Sequence, residues 1–472
     1  MRPRSLLGGA LALVATSAVL GAAPALLAAT EPPVGPTVGP PVPRAAGNGP
    51  LISPALVAEV RTRSRVRSII QLKPGESVEA VAKDVEQASA SSRVVDATSS
   101  PHFFVAEVDR MTLARLEKDA RIQAVYKDEL RTTTLDDNST ALIRSDRANQ
   151  AGWTGKGTTV AILDTGIDRD HPYLAGRIVD EACFSTSDPR DGTVSLCPNN
   201  QPTQTGPGAA DAETAQCIVR GANACSHGTH VAGIAAGRMT AGAPANGVAP
   251  DAGILPIQVF SRVDNAMTCE VGRTPPPCFL SYLSDEKLAL EYVARVVSAH
   301  NIAAVNMSLG GGGPYTEACD TDAAASAVKP EFDTLVSMGV APVVAAGNNG
   351  FANGIVAPAC LSSAIAVGAT DGFDQPARFT NRGPMLDLFA PGVSIRSSVP
   401  DDTYVERSGT SMAAPHVAGM FALMKQAYPD FTVAQSLQRL QGTGAAIRYS
   451  AAGTLVTTAR IDAQHATSAA HA

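Results

Sequence analysis

The chain has 472 residues, of which 45% are hydrophobic, 17% are charged and eight are cysteines. This composition excludes an intrinsically disordered protein, and the chain is long enough for more than one folded unit. The net charge of -7, without a long basic run, excludes a general nucleic-acid binder, whose phosphate contacts need clustered Lys and Arg.

The N-terminal segment has the pattern of a secretory signal peptide. Arg2 and Arg4 precede an apolar run that ends in small residues, and we assign residues 1–29 to a cleaved signal. An uncleaved membrane anchor is the alternative, because the run is close to the length of a membrane span. Residues 30–50, rich in Pro and Gly, predict an extended linker. We therefore expect a secreted, extracellular protein without a membrane contact once the signal is removed, and with disulfide bonds.

Residues 51–136 show alternating strand and helix patterns. Three runs, VRSIIQLK, PHFFVAEVD and QAVYKDE, predict strands, and two, ESVEAVAKDVEQ and MTLARLEKDARI, have the spacing of amphipathic helices. The expected unit is a small α+β domain with the order strand, helix, strand, helix, strand. The polar segment RTTTLDDNST that follows is expected to be exposed and open to proteolysis.

Residues 137–472 have the pattern of an α/β domain. Short β-rich runs alternate with helical stretches such as SDEKLALEYVARVVSAH and KPEFDTLVSMG; the runs are TTVAILD, GILPIQVF, IAAVNMSLG, APVVAAG and AIAVGA. Apolar strands that alternate with helices predict a mainly parallel sheet with helices on both faces. Ligands of such sheets bind outside the carboxyl ends of the strands, so polar residues at those ends are candidates for chemistry.

Four polar residues stand at the ends of predicted elements in this domain. They are Asp164 in VAILDTGID, His227 in CSHGTHVAGIAAG, Asn348 in VVAAGNNG and Ser411 in SGTSMAAPHVAGMFALM. Each residue alone is typical of a turn, a helix cap or a satisfied structural position. Together, in this chain order and over roughly residues 151–466, the four motifs strongly resemble the subtilisin family of serine peptidases.

The resemblance implies a role for each of these residues. Ser411 would be the nucleophile, and its hydroxyl needs an adjacent base, which His227 would supply. Asp164 would bind the other imidazole nitrogen and select its tautomer. The Asn348 amide and the Ser411 backbone N–H would donate hydrogen bonds to the oxyanion of the tetrahedral intermediate. Neutral or mildly alkaline activity is expected.

Two other interpretations of the motifs fit less well. An α/β-hydrolase elbow needs Gly two residues after the Ser and the order Ser, acid, His, and neither condition holds. Catalytic zinc would need a His-Glu-x-x-His motif, which His227 and His230 do not form, so we assign His230 to packing and expect no metal in the active site. No cofactor is required for the chemistry. Family members often bind structural calcium, which the resemblance therefore implies.

Two segments resemble the substrate-binding segments of the family. The first would add a peptide strand at the cleft, and the second would form the other wall of the first specificity pocket. Their residues are Ser308, Leu309 and Gly310 in the first, and Ala345, Ala346 and Gly347 in the second. Neither segment carries an acidic residue. We therefore expect an apolar or broad preference, unless other loops supply a charge.

All eight cysteines lie in the second region. Cys269 and Cys278 bracket a short segment and predict a bridged loop. The pairing of Cys319 with Cys360 is implied by the family resemblance. The remaining four are expected to clamp an inserted surface loop, with their connectivity left open; they are Cys183, Cys197, Cys217 and Cys225.

The resemblance also gives the N-terminal domain a role. Its position and polar exit resemble the family's propeptide, which assists folding and inhibits the enzyme by laying its tail in the cleft. We expect the precursor to cut itself between about Arg131 and Thr140. The predicted function is a monomeric, secreted serine endopeptidase acting on polypeptides. A maturation protease with few targets and a non-catalytic secreted binding protein on the same fold are the alternatives.

Overall fold

The computed structural model describes residues 50–97, 100–128, 139–272 and 274–468, which fall into two compact units divided at Arg131 and Thr132. The predicted signal, nearly all of the predicted linker and most of the expected cleavage region lie outside the described residues. In the part of the chain that is described, no helix combines the length and the apolar character needed to cross a membrane.

The first unit contains a five-stranded sheet and three helices. Its elements are β1 (Leu51–Ile52), α1 (Pro54–Glu59), β2 (Val66–Leu72), α2 (Val78–Ala88), β3 (Arg93–Asp96), β4 (Phe103–Val108), α3 (Arg110–Leu116) and β5 (Ile122–Lys127). The strand order is β1-β5-β2-β4-β3, in which only the β1–β5 pair is parallel. Helices α2 and α3 bury their apolar stripes against the sheet.

The predicted elements of this unit are present, with one difference in length. The sequence predicts that the second helix continues to Ile122, whereas α3 ends at Leu116. The Asp119 carboxylate accepts the Arg121 backbone N–H at 3.0 Å and forms a turn that leads into β5. The structure adds β1, α1 and β3, whose runs of two to six residues are too short to show a clear period.

The second unit contains the remaining described helices and strands, and many of these strands are short. The helices are α4 (Ser139–Leu142), α5 (Ser145–Gln150), α6 (Ser226–Ala236), α7 (Ala266–Cys269), α8 (Leu283–His300), α9 (Lys329–Ser337), α10 (Thr410–Ala427), α11 (Val433–Thr443) and α12 (Ala463–Thr467). The strands up to the middle of the unit are β6 (Thr159–Asp164), β7 (Ala182–Phe184), β8 (Thr193–Ser195), β9 (Thr203–Thr205), β10 (Ile218–Val219), β11 (Ala222–Asn223), β12 (Gly253–Gln258), β13 (Phe260–Val263), β14 (Cys278–Ser281) and β15 (Ile302–Met307). The later strands are β16 (Gly311–Tyr315), β17 (Ala341–Ala345), β18 (Ile355–Ala357), β19 (Ile365–Thr370), β20 (Leu388–Pro391), β21 (Ile395–Val399), β22 (Thr403–Arg407), β23 (Ala445–Ala451) and β24 (Thr454–Arg460).

A ten-stranded sheet forms the centre of this unit, with the order β23-β24-β20-β19-β17-β15-β6-β12-β7-β9. The strands from β24 to β7 are parallel, and β23 and β9 add antiparallel edges. Alternate residues of β6 face opposite sides: Val160 and Ile162 pack with α6 and α10, while Ala161 and Leu163 pack with α8 and α9. The predicted parallel sheet with helices on both faces is confirmed.

Four disulfides connect all eight cysteines: Cys183–Cys197, Cys217–Cys225, Cys269–Cys278 and Cys319–Cys360. The last two pairs confirm the predicted ones, and the first two supply the connectivity that the sequence left open. The Cys217–Cys225 bridge packs with Leu196 and Ala212 in a small apolar cluster. These residues belong to the stretch of sequence that connects β6 to α6. This disulfide content fits an extracellular protein.

Candidate active site

The four predicted catalytic residues lie at the ends of elements in the second unit. Asp164 is the last residue of β6, Asn348 comes three residues after β17, and His227 and Ser411 are the second residues of α6 and α10. Strands β6, β15 and β17 are parallel neighbours, so their carboxyl ends lie at the same edge of the sheet. This edge is where the fold class places ligands.

The Asp164 carboxylate binds the His227 imidazole directly. His227 Nδ1 lies 2.8 Å from Asp164 Oδ1 and 2.9 Å from Oδ2. Because a carboxylate accepts hydrogen bonds, Nδ1 carries the proton, and Nε2 of the neutral ring is free to accept one. The Asp164 side chain is 1% exposed and that of His227 is 27% exposed. The pair therefore presents a basic nitrogen held by a buried acid.

Close approach between the chain after β6 and the start of α6 brings these two residues together. A Cβ added to Gly228 would lie 2.0 Å from the Gly166 carbonyl oxygen and 3.2 Å from Asp164 Cβ, so only Gly fits. The Thr165 hydroxyl accepts the Gly228 N–H at 2.9 Å and donates to the Cys225 carbonyl at 2.8 Å. These contacts fix the first turn of the helix that carries the imidazole.

The Ser411 hydroxyl donates to the Ser308 carbonyl oxygen at 3.3 Å. In return, the Ser308 hydroxyl donates to the Ser411 carbonyl at 2.8 Å. Within the described residues Ser411 Oγ makes no hydrogen bond to His227, so the expected contact between nucleophile and base is not formed in this structure. Such bonds are often long or misaligned without substrate and tighten when it binds.

Asn348 is oriented by Thr410. Its Oδ1 accepts the Thr410 backbone N–H at 2.8 Å and the Thr410 hydroxyl at 3.0 Å, and the same hydroxyl accepts the Gly347 N–H at 3.2 Å. Since both bonds go to the oxygen, the Nδ2 group is left as a donor. Sequence reasoning missed Thr410, although a Thr before a reactive Ser is a candidate for such a bond.

Asn348 Nδ2 and the Ser411 backbone nitrogen lie close to each other beside Gly409, and both residues line one cavity. A Cβ added to Gly409 would be in ordinary contact with both, 3.5 Å from Asn348 Nδ2 and 3.7 Å from the Ser411 nitrogen, and would also lie 3.7 Å from Met412 Sδ. Within the described residues the Ser411 N–H has no hydrogen-bond acceptor, which is typical of the first turn of a helix. The positive end of the helix dipole adds to these donors, so this part of the cavity can stabilise a negatively charged oxygen.

A cavity of about 450 Å³ opens beside Ser411. Ser308, Leu309 and Gly310 line it on one side, Ala345 and Gly347 line it on another, and its described lining contains no charged residue. Five of the six predicted substrate-contacting residues therefore meet at one cavity next to the hydroxyl.

The sixth residue, Ala346, does not line the cavity. It is fully buried in the apolar core on the other side of the chain, and its carbonyl accepts a hydrogen bond from Asn381 Nδ2 at 2.9 Å. Side chains in extended backbone alternate between two faces, which explains why its neighbours line the cavity and it does not.

Two histidines near the site are buried and neutral. His230 donates from Nε2 to the Val405 carbonyl at 3.0 Å, and burial lowers its pKa to about 3. His416 donates from Nδ1 to the Met412 carbonyl at 2.8 Å, accepts the Ser139 hydroxyl at 2.7 Å, and has its pKa lowered to about 4 by burial. Both rings are buried structural side chains, as the sequence predicts for His230.

One group of carboxylates in the described residues could hold a cation. One oxygen each from Asp168, Asp170 and Glu213 lies within 4.8 Å of the others. Burial and the charge of Glu213 raise the pKa of Asp168 to about 7. Ligands that are all oxygen suit calcium and not zinc. These residues fit the structural calcium implied by the family resemblance, and calcium binding stays a prediction.

Comparison with known proteins gives one consistent family. The subtilase family profile matches residues 155–470. The chain is 31% identical over 345 residues to Subtilisin E of Bacillus subtilis strain 168, covering 72% of this chain and 74% of that protein. It is 32% identical over 340 residues to a thermostable alkaline protease of Halalkalibacterium halodurans, covering 72% and 76%. The crystal structure of a cold adapted subtilisin-like serine proteinase covers 66% of this chain and 89% of its own, with 27% identity and a TM-score of 0.45.

Because His416 is buried, we expect the protein to lose stability in acid. Its pKa is about 4 in the folded chain and about 6.5 in an unfolded one, so between these values the unfolded chain binds a proton that the folded chain excludes. The free energy of unfolding should therefore fall by up to about 1.4 kcal/mol per pH unit as the pH falls through this window. His416→Gln should remove this part of the slope. Urea unfolding between about pH 4 and pH 6.5 measures the free energy of unfolding with and without His416→Gln, and both chains carry Ser411→Ala to remove the reactive hydroxyl. If the free energy of unfolding fell equally steeply with pH in both chains, a buried neutral His416 would be contradicted.

Proposed function

This chain belongs to the subtilase family and is a serine-type endopeptidase, and on that premise we propose that Asp164, His227 and Ser411 are its catalytic triad. The paired contact of His227 Nδ1 with both Asp164 oxygens carries the proposal, because it leaves Nε2 as the base. Asn348 Nδ2 and the Ser411 N–H are the proposed oxyanion donors, supported by their proximity beside Gly409 and by the cavity that both residues line.

Peptide hydrolysis at this site proceeds by acyl transfer. Ser411 Oγ attacks the carbonyl carbon of the scissile bond while its proton passes to His227 Nε2. The Asp164 carboxylate stabilises the imidazolium, and the two donors stabilise the oxyanion. His227 then protonates the leaving amine, and a water molecule activated by the same ring hydrolyses the acyl-enzyme. No cofactor takes part in this chemistry.

Substrate is proposed to bind as an extended strand along Ser308, Leu309 and Gly310. The uncharged cavity beside Ser411 would take the side chain that precedes the scissile bond, which favours an apolar or broad preference there. We further propose that residues 1–29 direct export of the chain. The exported protein is proposed to be a monomer. The four disulfides support an extracellular location.

Loss of either reactive group should abolish activity. Ser411→Ala and His227→Ala should each abolish peptide hydrolysis, and the double variant should be hardly worse than either, because the residues act as one unit. Steady-state kcat/KM for the three variants tests this, with Ser337→Ala at the exposed end of α9 as the matched control. A fluorophosphonate should label the wild type and not Ser411→Ala. Equal labelling would favour a non-catalytic binding protein, and additive losses would contradict a shared unit.

Thr410 should affect catalysis by orienting the Asn348 amide. Thr410→Val removes the hydroxyl that bonds Asn348 Oδ1, so kcat should fall with little change in KM. The loss should be smaller than that of Asn348→Ala, for which removal of one oxyanion donor costs about 2.7–4 kcal/mol. Thr410→Ser keeps the hydroxyl and should retain most activity. The Asn348→Ala, Thr410→Val double variant should match Asn348→Ala alone, whereas a full extra loss would show that Thr410 acts independently.

We also propose that residues 51–136 form an inhibitory propeptide. The support is a separate unit with its own apolar core, followed in sequence by a polar segment. A tail tethered beside Ser411 is at high effective concentration, which favours self-cleavage.

Maturation should therefore depend on the enzyme's own hydroxyl. Purified Ser411→Ala should keep residues 51–136, whereas the wild type should lose them by a cut between about Arg131 and Thr140, as mass spectrometry would show. The separate 51–136 fragment should inhibit the mature enzyme. Normal maturation of Ser411→Ala without added protease, or unchanged hydrolysis with the fragment in large excess, would rule the proposal out.

A further inference from the structure

A second cavity, of about 600 Å³, lies against the same glycine-rich segment as the first. Both cavities are lined by residues 309–312, and the second also reaches the start of α8 at Tyr282, Leu283 and Glu286. Apolar side chains such as Phe260 and Leu280 form much of its remaining wall. Its volume lies in the range of cavities that bind ligands.

Glu286 is the feature of this cavity that packing does not explain. Glu286 is only 6% exposed, and its Oε2 has no hydrogen-bond partner among the described residues. Burial raises its pKa to about 7, a hydrogen bond from the Ser281 side chain acts against this rise, and the charge of Asp285 adds a smaller contribution to it. A hydrogen bond from the Ser281 side chain offsets part of the cost of burying this carboxylate, but the unpartnered Oε2 still costs free energy, which points to a ligand that supplies the missing donor.

The other charged groups around this cavity are already engaged. Asp191 accepts the Tyr282 hydroxyl at 2.8 Å, and Asp285 accepts the Thr186 N–H and hydroxyl, each at 2.8 Å. On α8 itself, Lys287 is paired with Glu331. The described lining residues include no Lys, Arg or His. The cavity therefore has acidic groups and no described cationic side chain of its own to pair with Glu286.

We propose that Glu286 determines substrate specificity by pairing with a Lys or Arg side chain of the bound peptide. This inference rests on the proposed function, in which the substrate strand lies along residues 308–310. Successive side chains of a strand point to opposite faces, so a residue other than the one beside the scissile bond reaches the second cavity. The aliphatic stem of Lys packs on the apolar walls while its ammonium group meets the carboxylate. The enzyme would thus combine an uncharged first pocket with an acidic second one.

Matched peptides test this assignment. Each position from two to five residues before the scissile bond carries Lys, norleucine, acetyl-lysine or Glu in turn, at a pH of about 9, where Glu286 is ionised. At one position the wild type should show a kcat/KM at least about tenfold higher for Lys than for norleucine or acetyl-lysine, and lowest for Glu. The acetyl-lysine peptide keeps the side-chain length and removes only the charge, so this comparison needs no variant.

The variants then assign the preference to one carboxylate. Glu286→Gln should bring the ratio of Lys to norleucine close to one, while Glu291→Gln, the same change at an exposed position of α8, should keep it. Equal cleavage of Lys and norleucine peptides at every position, or a Lys preference that survives Glu286→Gln, would overturn the assignment and leave the protease function intact. A wild type that hydrolyses no peptide and resists fluorophosphonate would overturn both.

Discussion

Close packing between α6 and α10 is the constraint on which the site depends. A Cβ on Gly419 of α10 would lie 2.8 Å from the Ala235 carbonyl oxygen of α6, and Gly228 meets the chain after β6 even more closely. A larger side chain at Gly419 would push α10 away from α6, and one at Gly228 would push α6 away from the chain after β6. His227 and Ser411 are the second residues of the two helices. Their separation is therefore set by backbone packing in the core, which holds a site more exactly than loops can.

The hydrogen bonds that orient the reactive groups come from their neighbours in sequence. Thr165, next to Asp164, anchors the start of α6 through the Gly228 N–H, and Thr410, next to Ser411, holds the Asn348 amide. Each hydroxyl both donates and accepts, so two backbone segments are joined at each point. The proposed oxyanion donor Asn348 Nδ2 is thereby oriented without substrate, and its role would need little reorganisation during the reaction.

The sequence predicts the parallel core well and its edges poorly. Strands β6, β12, β15, β17 and β19 are apolar on both faces and stand out as continuous runs, whereas β7 and β9 have three residues each and resemble loops. The motifs place Asp164 and His227 at element ends, and the structure brings them into contact. The cysteine pairs of the insertion, the tautomer of His416 and the partner of Asn348 depend on distances between segments far apart in sequence, which local patterns do not contain. The motif around Asn348 predicts Ala346 in the pocket, whereas the alternation of side chains continues past the end of β17 and turns Ala346 into the core.

Electrostatics favours the proposed division of roles between the two cavities. A carboxylate in the pocket beside Ser411 would oppose the oxyanion; at about 4 Å and an effective dielectric constant of about 20 the repulsion is about 4 kcal/mol. That is as large as the stabilisation from one oxyanion donor. A charge that selects substrate is better tolerated across residues 309–312, where it can attract a cationic side chain without facing the developing negative charge. The uncharged lining of the cavity beside Ser411 and the proposed role of Glu286 in the second cavity both satisfy this requirement.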